Sequence, residues 1–222
     1  DKIEIIKGPG TLLYGNNGFA GVINVINPLI AVDQPIRDQD IEANFGYQTS
    51  GGELRSSLKF GKSIDNFTIR GSGSFLSAGP YDLANVSTKQ SNSSKFMSSG
   101  GIGLTYNDGK NFFGISLDKL EAAYSLPGAE GEENLTSLNP TRNTINFKSS
   151  LHLDTYIFDK FNLEGTVSEY SHAERTGAGN NHNIEFFNDA YEFKISLSHK
   201  PLFTQNKMGL IGFHFQNKNQ GA

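Results

Sequence analysis

The sequence contains no cysteine, and nowhere does it run apolar for long. Without cysteine, disulfide bonds and thiolate metal sites are excluded. No window approaches the run of about 18 apolar residues that a transmembrane helix needs, so no such helix is predicted. Strands of a membrane β-barrel give a much weaker hydropathy signal, so these absences leave a membrane location open.

Strong charge of one sign and catalytic motifs are also missing. The formal net charge is −4 and the Lys and Arg residues are scattered, which argues against a nucleic-acid partner. The sequence has no Gly-x-Ser-x-Gly elbow, no phosphate-binding loop and no His-Glu-x-x-His motif. We therefore predict that the chain is not an enzyme and carries no cofactor.

The composition favours a protein with little solid core. Hydrophobic residues make up 36% of the chain, below the globular average, and glycine accounts for 25 of the 222 residues. Such a chain would have trouble filling a core, but it suits strands with one apolar and one polar face. At this length, one large domain is the default expectation.

From residue 40 onward, apolar and polar residues alternate with the period of two that β-strands produce. In the first stretch, Ile41, Phe45 and Tyr47 alternate with Glu42 and Gln48. The pattern recurs about nine times over roughly ten residues, the length that a tilted strand needs to cross a bilayer. The apolar residues that mark these predicted strands lie within 41–48, 54–60, 67–75, 102–106, 113–117, 145–153, 161–167, 191–197 and 211–215.

The predicted connections alternate in length. Short turns, such as 65–66 and 107–110, separate three long polar segments, Gly79–Ser94, Leu126–Arg142 and His172–Asp189. Short turns on one side and long loops on the other are typical of outer-membrane barrels. A soluble or surface all-β ligand-binding protein, such as a wide lipocalin-like barrel, has the same periodicity and is the alternative.

The first 27 residues follow a different pattern. Ile3, Ile5 and Ile6 predict a short strand that stops at Gly8-Pro9-Gly10, and Gly21–Ile26 predicts a second strand that pairs with it. In order and spacing this stretch resembles the end of the plug domain of TonB-dependent outer-membrane receptors. The matching residues are Ile3, Glu4, Ile6, Lys7, Gly8, Pro9, Leu13, Tyr14, Gly15, Gly21, Val22, Ile23 and Asn24.

The resemblance implies an all-β fold, a transmembrane antiparallel barrel of roughly 22 strands closed by a plug in its lumen. Residues 1–28 would be the C-terminal end of the plug domain, 29–39 a linker, and 40–222 the N-terminal portion of the barrel. The chain would then be a fragment without transport activity of its own, because about nine strands do not close such a barrel.

The function that the resemblance implies is high-affinity uptake of a scarce ligand across the bacterial outer membrane. The expected partners are outer-membrane lipid and a small extracellular ligand, such as a metal, a siderophore or haem. The TonB complex would supply the energy through the part of the receptor that precedes the plug.

A second, shorter resemblance concerns the ligand. Tyr124–Gly128 is similar to a Tyr-x-Leu/Val-Pro-Gly segment of some metal-uptake receptors in that family, and Tyr170-Ser-His172 with Glu185–Asn188 looks like the same branch. In zinc-uptake members a histidine-rich run follows the Pro-Gly segment. Here Ala129–Glu133 is acidic instead, so the ligand stays open.

Residues in the predicted long loops are the candidates for ligand binding. They are Tyr124, Glu130, Glu132, Glu133, His172, Glu174 and His182. Imidazole and carboxylate groups coordinate divalent metals, so His172, Glu174 and His182 are also metal candidates. A solvated loop without a metal is the alternative.

Overall fold

The computed structural model describes residues 2–8, 21–26, 28–32, 39–85, 87–127, 135–176, 182–201 and 209–222. Strands β1 (Lys2–Lys7) and β2 (Gly21–Ile26) pair antiparallel in a small sheet of their own, with Ile3 opposite Val25. This pairing is the one that the two apolar stretches at the start of the sequence predict.

The rest of the described chain forms one nine-stranded sheet, and neighbours along the sequence are neighbours in the sheet. Every neighbouring pair is antiparallel, so the sheet is a simple meander. Its strands are β3 (Gln39–Gln48), β4 (Glu53–Ile64), β5 (Phe67–Ala78), β6 (Lys95–Asn107), β7 (Phe112–Ser125), β8 (Ser137–His152), β9 (Phe158–Thr176), β10 (His182–His199) and β11 (Gly209–Gly221). The prediction of an all-β fold with nine alternating strands is confirmed.

The alternation separates an apolar face from a polar face of the sheet. Large apolar side chains on one face are open to solvent, including Phe45 at 75% exposure and Phe213 at 65%. The other face carries Ser, Thr, Asn and charged residues, and cavities of about 600 and 420 Å³ are lined mainly from that side. The polar face is therefore the concave one, as in the wall of a barrel with a wet lumen.

The apolar band on the outer face runs diagonally to the strands. Followed directly across the sheet, Ile41 of β3 lies level with Asn217 of β11. The apolar residues of β11 end before that level, at Phe215. The turn-end limit of the band is Ile41 on β3 but Ile211 on β11, six residues from the level of Asn217. Six residues at ~3.3 Å each, over eight strand spacings of ~4.8 Å, mean that the strands tilt about 30° relative to the perpendicular of the band. A tilt of that order is what a flat bilayer requires of barrel strands.

Charged residues bound this band on one side. Lys119 on β7, Glu169 on β9 and Asp189 on β10 lie in one row across the outer face, next to the row of Leu117, Ile145 and Val167. Lys119 also forms an ion pair of 2.5 Å with Glu121 on the same strand and face. A change from apolar to charged side chains beside such a band is typical of the edge of a hydrocarbon layer.

The connections differ in part from the prediction. One end of the sheet, here called the loop end, carries the connections 49–52, 79–94, 126–136 and 177–181; the turn end carries 65–66, 108–111, 153–157 and 200–208. The predicted loop Gly79–Ser94 is confirmed. The bounds of the other two predicted loops, Leu126–Arg142 and His172–Asp189, are wrong. Strand β8 already begins at Ser137, β9 continues to Thr176 and β10 begins at His182.

Helical structure in the described residues is limited to one 3-10 turn, Ser50–Gly52, where Gly51 has φ 71°. A Cβ at Gly51 would lie 2.8 Å from the carbonyl oxygen of Gly79, so the turn needs glycine there. No helix in this part of the chain has the length and apolarity needed to cross a bilayer.

Candidate functional site on the polar face

A short segment before β3 packs against the polar face of the sheet. Leu29, Ile30 and Ala31 are 3%, 8% and 3% exposed, and together with Phe112 they are the buried hydrophobic residues of the described chain. We call Pro28–Val32 the docked segment. It falls at the predicted boundary between plug and linker, so part of the predicted linker is fixed to the wall.

Glycines in β6 and β7 form the floor under the docked segment. A Cβ at Gly103 would overlap the backbone of Leu29, and one at Gly101 would lie 2.6 Å from its side chain. A Cβ at Gly114 would overlap the side chain of Ile30. The segment therefore reaches the sheet backbone because these three positions lack side chains.

Two hydrogen bonds fix the docked segment. Arg70 on β5 donates from Nη1 to the carbonyl oxygen of Pro28 at 3.0 Å. The amide of Ala31 donates to Thr105 Oγ1 on β6 at 3.1 Å, and Thr105 is only 2% exposed. Leaving a buried polar group without its hydrogen-bond partner costs about 1–3 kcal/mol of folding free energy. This hydrogen bond therefore favours one position of the docked segment on the sheet.

A polar network covers the same face on β7–β10. Asn146 donates to Ser116 at 3.4 Å and to Asp118 at 3.3 Å, and it accepts from Thr166 at 3.0 Å. Farther toward the turn end, Lys148 pairs with Glu164 at 2.8 Å. The face thus offers a polar wall with donors and acceptors, and the larger cavity lies between this wall and Leu29.

The predicted plug residues are described only in part. Gly8 and Gly21 have φ values of 94° and 146°, which favour glycine at the ends of the β1–β2 hairpin. Val22, Ile23 and Asn24 lie in β2, and Ile23 pairs with Ile5. Pro9, Leu13, Tyr14 and Gly15 lie outside the described residues, so their predicted role stays a prediction.

The predicted ligand-loop residues are found in strands where they are described. Tyr124 lies in β7, His172 and Glu174 lie in β9, and His182 is the first residue of β10. Their assignment to loops is therefore wrong, although they do lie near the loop end. Glu130, Glu132 and Glu133 lie outside the described residues.

Tyr124, His172 and Glu174 share the polar face. Directly across the sheet, one row near the loop end, here called the rim row, joins strands β3 to β10 on that face. The rim row consists of Gln48, Glu53, Ala78, Lys95, Tyr124, Leu138, Glu174 and Ile184. Two of the sequence-predicted candidates are thus brought into register, and Lys95 lies directly beside Tyr124.

His172 lies one row below Glu174. Its ring stacks on Phe186 with the ring centroids 4.7 Å apart, and Nε2 lies 3.8 Å from Glu174 Oε1. Its Nδ1 is buried without a hydrogen-bond partner among the described residues. The described residues contain no group of three His, Asp or Glu side chains that could hold a metal. The metal hypothesis stays a prediction, since it also depends on the side chain of His182.

Sequence reasoning missed the residues that hold the docked segment and those that line the rim beside Tyr124. Arg70, Thr105 and Glu53 each look like an ordinary polar position of an alternating strand. One signal was present, because Gly101-Ile-Gly103 in a strand marks either a small-residue wall or a close backbone approach. Only the structure shows that Leu29 is the residue that approaches these two glycines.

The nine-stranded meander with an outward apolar band and a polar concave face has the architecture of part of an outer-membrane β-barrel. A solved structure with this fold is that of "Copper transporter OprC", which superposes with a TM-score of 0.74 over 99% of this chain at 13% sequence identity. The chain spans 34% of the length of that structure. No protein-family model matches the sequence. At this identity the likeness concerns the fold.

Proposed function

We propose that the chain forms part of the wall of a TonB-dependent outer-membrane transport receptor, together with the end of its plug. The observation that carries this proposal is the meander of nine strands whose apolar face points outward in a tilted band. A soluble barrel would turn that face inward, so the exposed aromatic and aliphatic side chains favour contact with lipid. The likeness of fold to a transporter supports the same class of function.

In this proposal the loop end faces the outside of the cell and the turn end faces the periplasm. The connection 79–94, the longest in the described sheet, lies at the loop end, whereas the turn end includes the tight turn 65–66. Strands β7 to β10 extend beyond the apolar band toward the loop end, where their outward residues become charged. Barrels of outer membranes have this asymmetry.

The docked segment would be the fixed point between the plug and the wall. Its three buried apolar residues and two hydrogen bonds to the wall stabilise it against displacement. A pull transmitted by TonB to the plug would then move the chain before Pro28 and leave the wall unchanged. The β1–β2 hairpin would belong to the part that moves.

The proposed cargo is a scarce small ligand such as a metal, a siderophore or a similar compound. The concave face provides a hydrated path, with the network around Asn146 and the ion pair of Lys148 and Glu164 along it. His172 and Glu174 remain metal candidates, and the copper named for OprC makes a transition metal a reasonable first ligand to try. Nine strands leave two unpaired edges, so a closed pore would need further strands.

Cysteine labelling in intact cells tests the membrane location and the orientation together, because the chain has no native cysteine. Tyr81→Cys lies in the loop-end connection 79–94, and Tyr156→Cys lies in the turn-end connection, where Tyr156 is 94% exposed. In Gram-negative cells producing the protein, a membrane-impermeant maleimide should label the first variant and not the second. Both should be labelled after the cells are opened.

The matched pair gives a clear contrary result. Labelling of Tyr156→Cys alone in intact cells would show that the turn end, and not the loop end, faces the outside of the cell. Failure of both variants to react in intact cells, with full labelling of soluble material after lysis, would favour the soluble alternative and contradict the receptor.

A further inference from the structure

A polar cavity of about 360 Å³ lies at the loop end of strands β3 to β6. It lies apart from the docked segment and from His172. The side chains that define it are Ser50, Glu53, Arg55, Tyr81, Ser93 and Lys95. We call this cavity the rim niche. Its volume falls in the range of small-molecule sites.

A buried carboxylate organises the rim niche. Glu53 is 5% exposed, and its Oε1 accepts from the guanidinium of Arg55 while its Oε2 lies 2.5 Å from Lys95 Nζ. The side chains of Arg55 and Lys95 are 59% and 47% exposed. One buried anion therefore holds two cations in place, and both cations still face the cavity with one positive charge in excess.

The connection 79–94 closes one side of the niche and is itself held in place. The amide of Gly79 donates to the carbonyl of Gly51 at 2.8 Å, and the amide of Asp82 donates to Ser50 Oγ at 3.2 Å. The amide of Tyr81 donates to Ser93 Oγ at 3.3 Å. The niche is thus formed before any ligand arrives, which lowers the entropic cost of binding.

The niche has two cationic donor groups, and its one carboxylate is already engaged by both of them. Guanidinium and ammonium groups are the usual partners of carboxylate and phosphate oxygens, and a guanidinium can bind them in a bidentate manner. From this geometry we propose that the rim niche binds a small, freely diffusing ligand that carries carboxylate groups. Arg55 and Lys95 contact its oxygens and Glu53 positions both cations.

The niche continues along the rim row toward a residue that the sequence had already singled out. Lys95 pairs directly with Tyr124 on β7, on the same polar face. A ligand held by Lys95 therefore lies beside Tyr124, which is 38% exposed. A role for the niche in capturing ligand at the cell surface rests on the proposed function, whereas binding itself can be measured without it.

Titration calorimetry with citrate on the purified, detergent-solubilised chain at low salt tests the proposal. The unchanged protein should bind citrate, and Arg55→Gln and Lys95→Gln should each weaken binding about tenfold or more, since each removes a charge-assisted contact. Glu53→Gln should tighten binding several-fold, because its amide oxygen still accepts a hydrogen bond from a cation while the negative charge that competes with the ligand is removed. Lys194→Gln is the matched control, a cation of the same face paired with Glu192 on its own strand at 2.8 Å, and should bind like the unchanged protein.

Three results would overturn the proposal. They are absence of citrate binding by a protein whose circular dichroism shows the folded sheet, equal affinity of the Arg55, Lys95 and Lys194 variants, and loss of binding in Glu53→Gln. Citrate binding in a protein whose cysteine labelling contradicts the receptor would support the niche and reject only its role in uptake. Absence of binding with labelling as expected would reject the niche and leave the receptor.

Discussion

Three glycines on the concave face determine whether the docked segment can reach the wall. Gly101, Gly103 and Gly114 leave room for Leu29 and Ile30, and no other residue type would fit without displacing the segment. Burial of these side chains is the main apolar packing of the described chain. The hydrogen bond from the Ala31 amide to Thr105 adds a polar contact to it.

Gly103→Ala should release the docked segment, since the new methyl group would overlap the backbone of Leu29. We expect the free energy of unfolding to fall by about 1–3 kcal/mol, the usual cost of overpacking. Hydrogen exchange of the Ala31 amide should become faster at the same time. Gly100→Ala is the control, because a Cβ there would lie 3.7 Å from the nearest atom, the carbonyl oxygen of Ser72. Equal behaviour of the two variants would show that the floor has no role.

Residue identities predicted the glycine floor only in part. The pair Gly101 and Gly103 stands out within an alternating strand, but nothing local indicates what lies on it. The partner of Thr105 is 74 positions away along the chain, and periodicity carries no information on a contact of that range. The rim niche was missed for a similar reason, because Glu53, Arg55 and Lys95 meet only when β4, β5 and β6 are in register.

Among the elements, the turn between β6 and β7 is the best defined at the turn end. Asp108 Oδ1 accepts from the amides of Lys110 at 2.8 Å and Asn111 at 2.6 Å, and Asn107 Oδ1 accepts from the amide of Gly109 at 2.9 Å. Gly109 has φ 88°, a conformation that glycine adopts without strain. Such side-chain-to-backbone bonds fix the register of the hairpin.

The turn should loosen in acid. Hydrogen bonds from the backbone amides of Asn111 and Lys110 hold the pKa of the Asp108 carboxyl below its ordinary value. Because the folded-state pKa is lowered, the ionised group stabilises the turn above the ordinary aspartate pKa of about 3.9, and this stabilisation is lost as pH falls through the lowered value. Amide exchange at Lys110, corrected for its intrinsic pH dependence, should therefore show lost protection in that range.

Asp108→Asn provides the control for this prediction. Asparagine can accept the same amide hydrogen bonds but does not titrate, so the corrected protection of Lys110 should become independent of pH. An unchanged pH profile in the variant would show that another group is responsible.

Strand positions were predicted well and the ends of strands less well, for a physical reason. Within the apolar band, one face must be apolar and the other polar, so the sequence alternates. Beyond the band, both faces of β9 and β10 meet water, and outward residues such as Glu169, Ser171 and Asp189 are polar like the inward ones. The strands continue there without alternation, which is why His172–Asp189 was predicted to be a loop.

At the scale of the molecule, the tilted apolar band, the charged row at its edge and the docked segment on the opposite face agree with one another. Tilted strands in a flat bilayer would produce a band inclined by about 30°. The chain spans 34% of the length of the copper transporter whose fold it shares, so the ligand and the energy source remain proposals. The first 32 residues contribute the β1–β2 hairpin and the docked segment, which is held on the polar face of the sheet.

Lipid quenching of single tryptophans tests the central claim, that the apolar face lies in the bilayer and the polar face lines a wet lumen. The chain has no tryptophan, so each substitution introduces the only indole. Phe193→Trp and Lys194→Trp are neighbours at one depth on opposite faces of β10, opposite Gly165 and Glu164. In bilayers of lipids with brominated acyl chains, the account predicts strong quenching at position 193 and little at 194. Equal quenching at both positions, stronger quenching at 194, or none at either would contradict it.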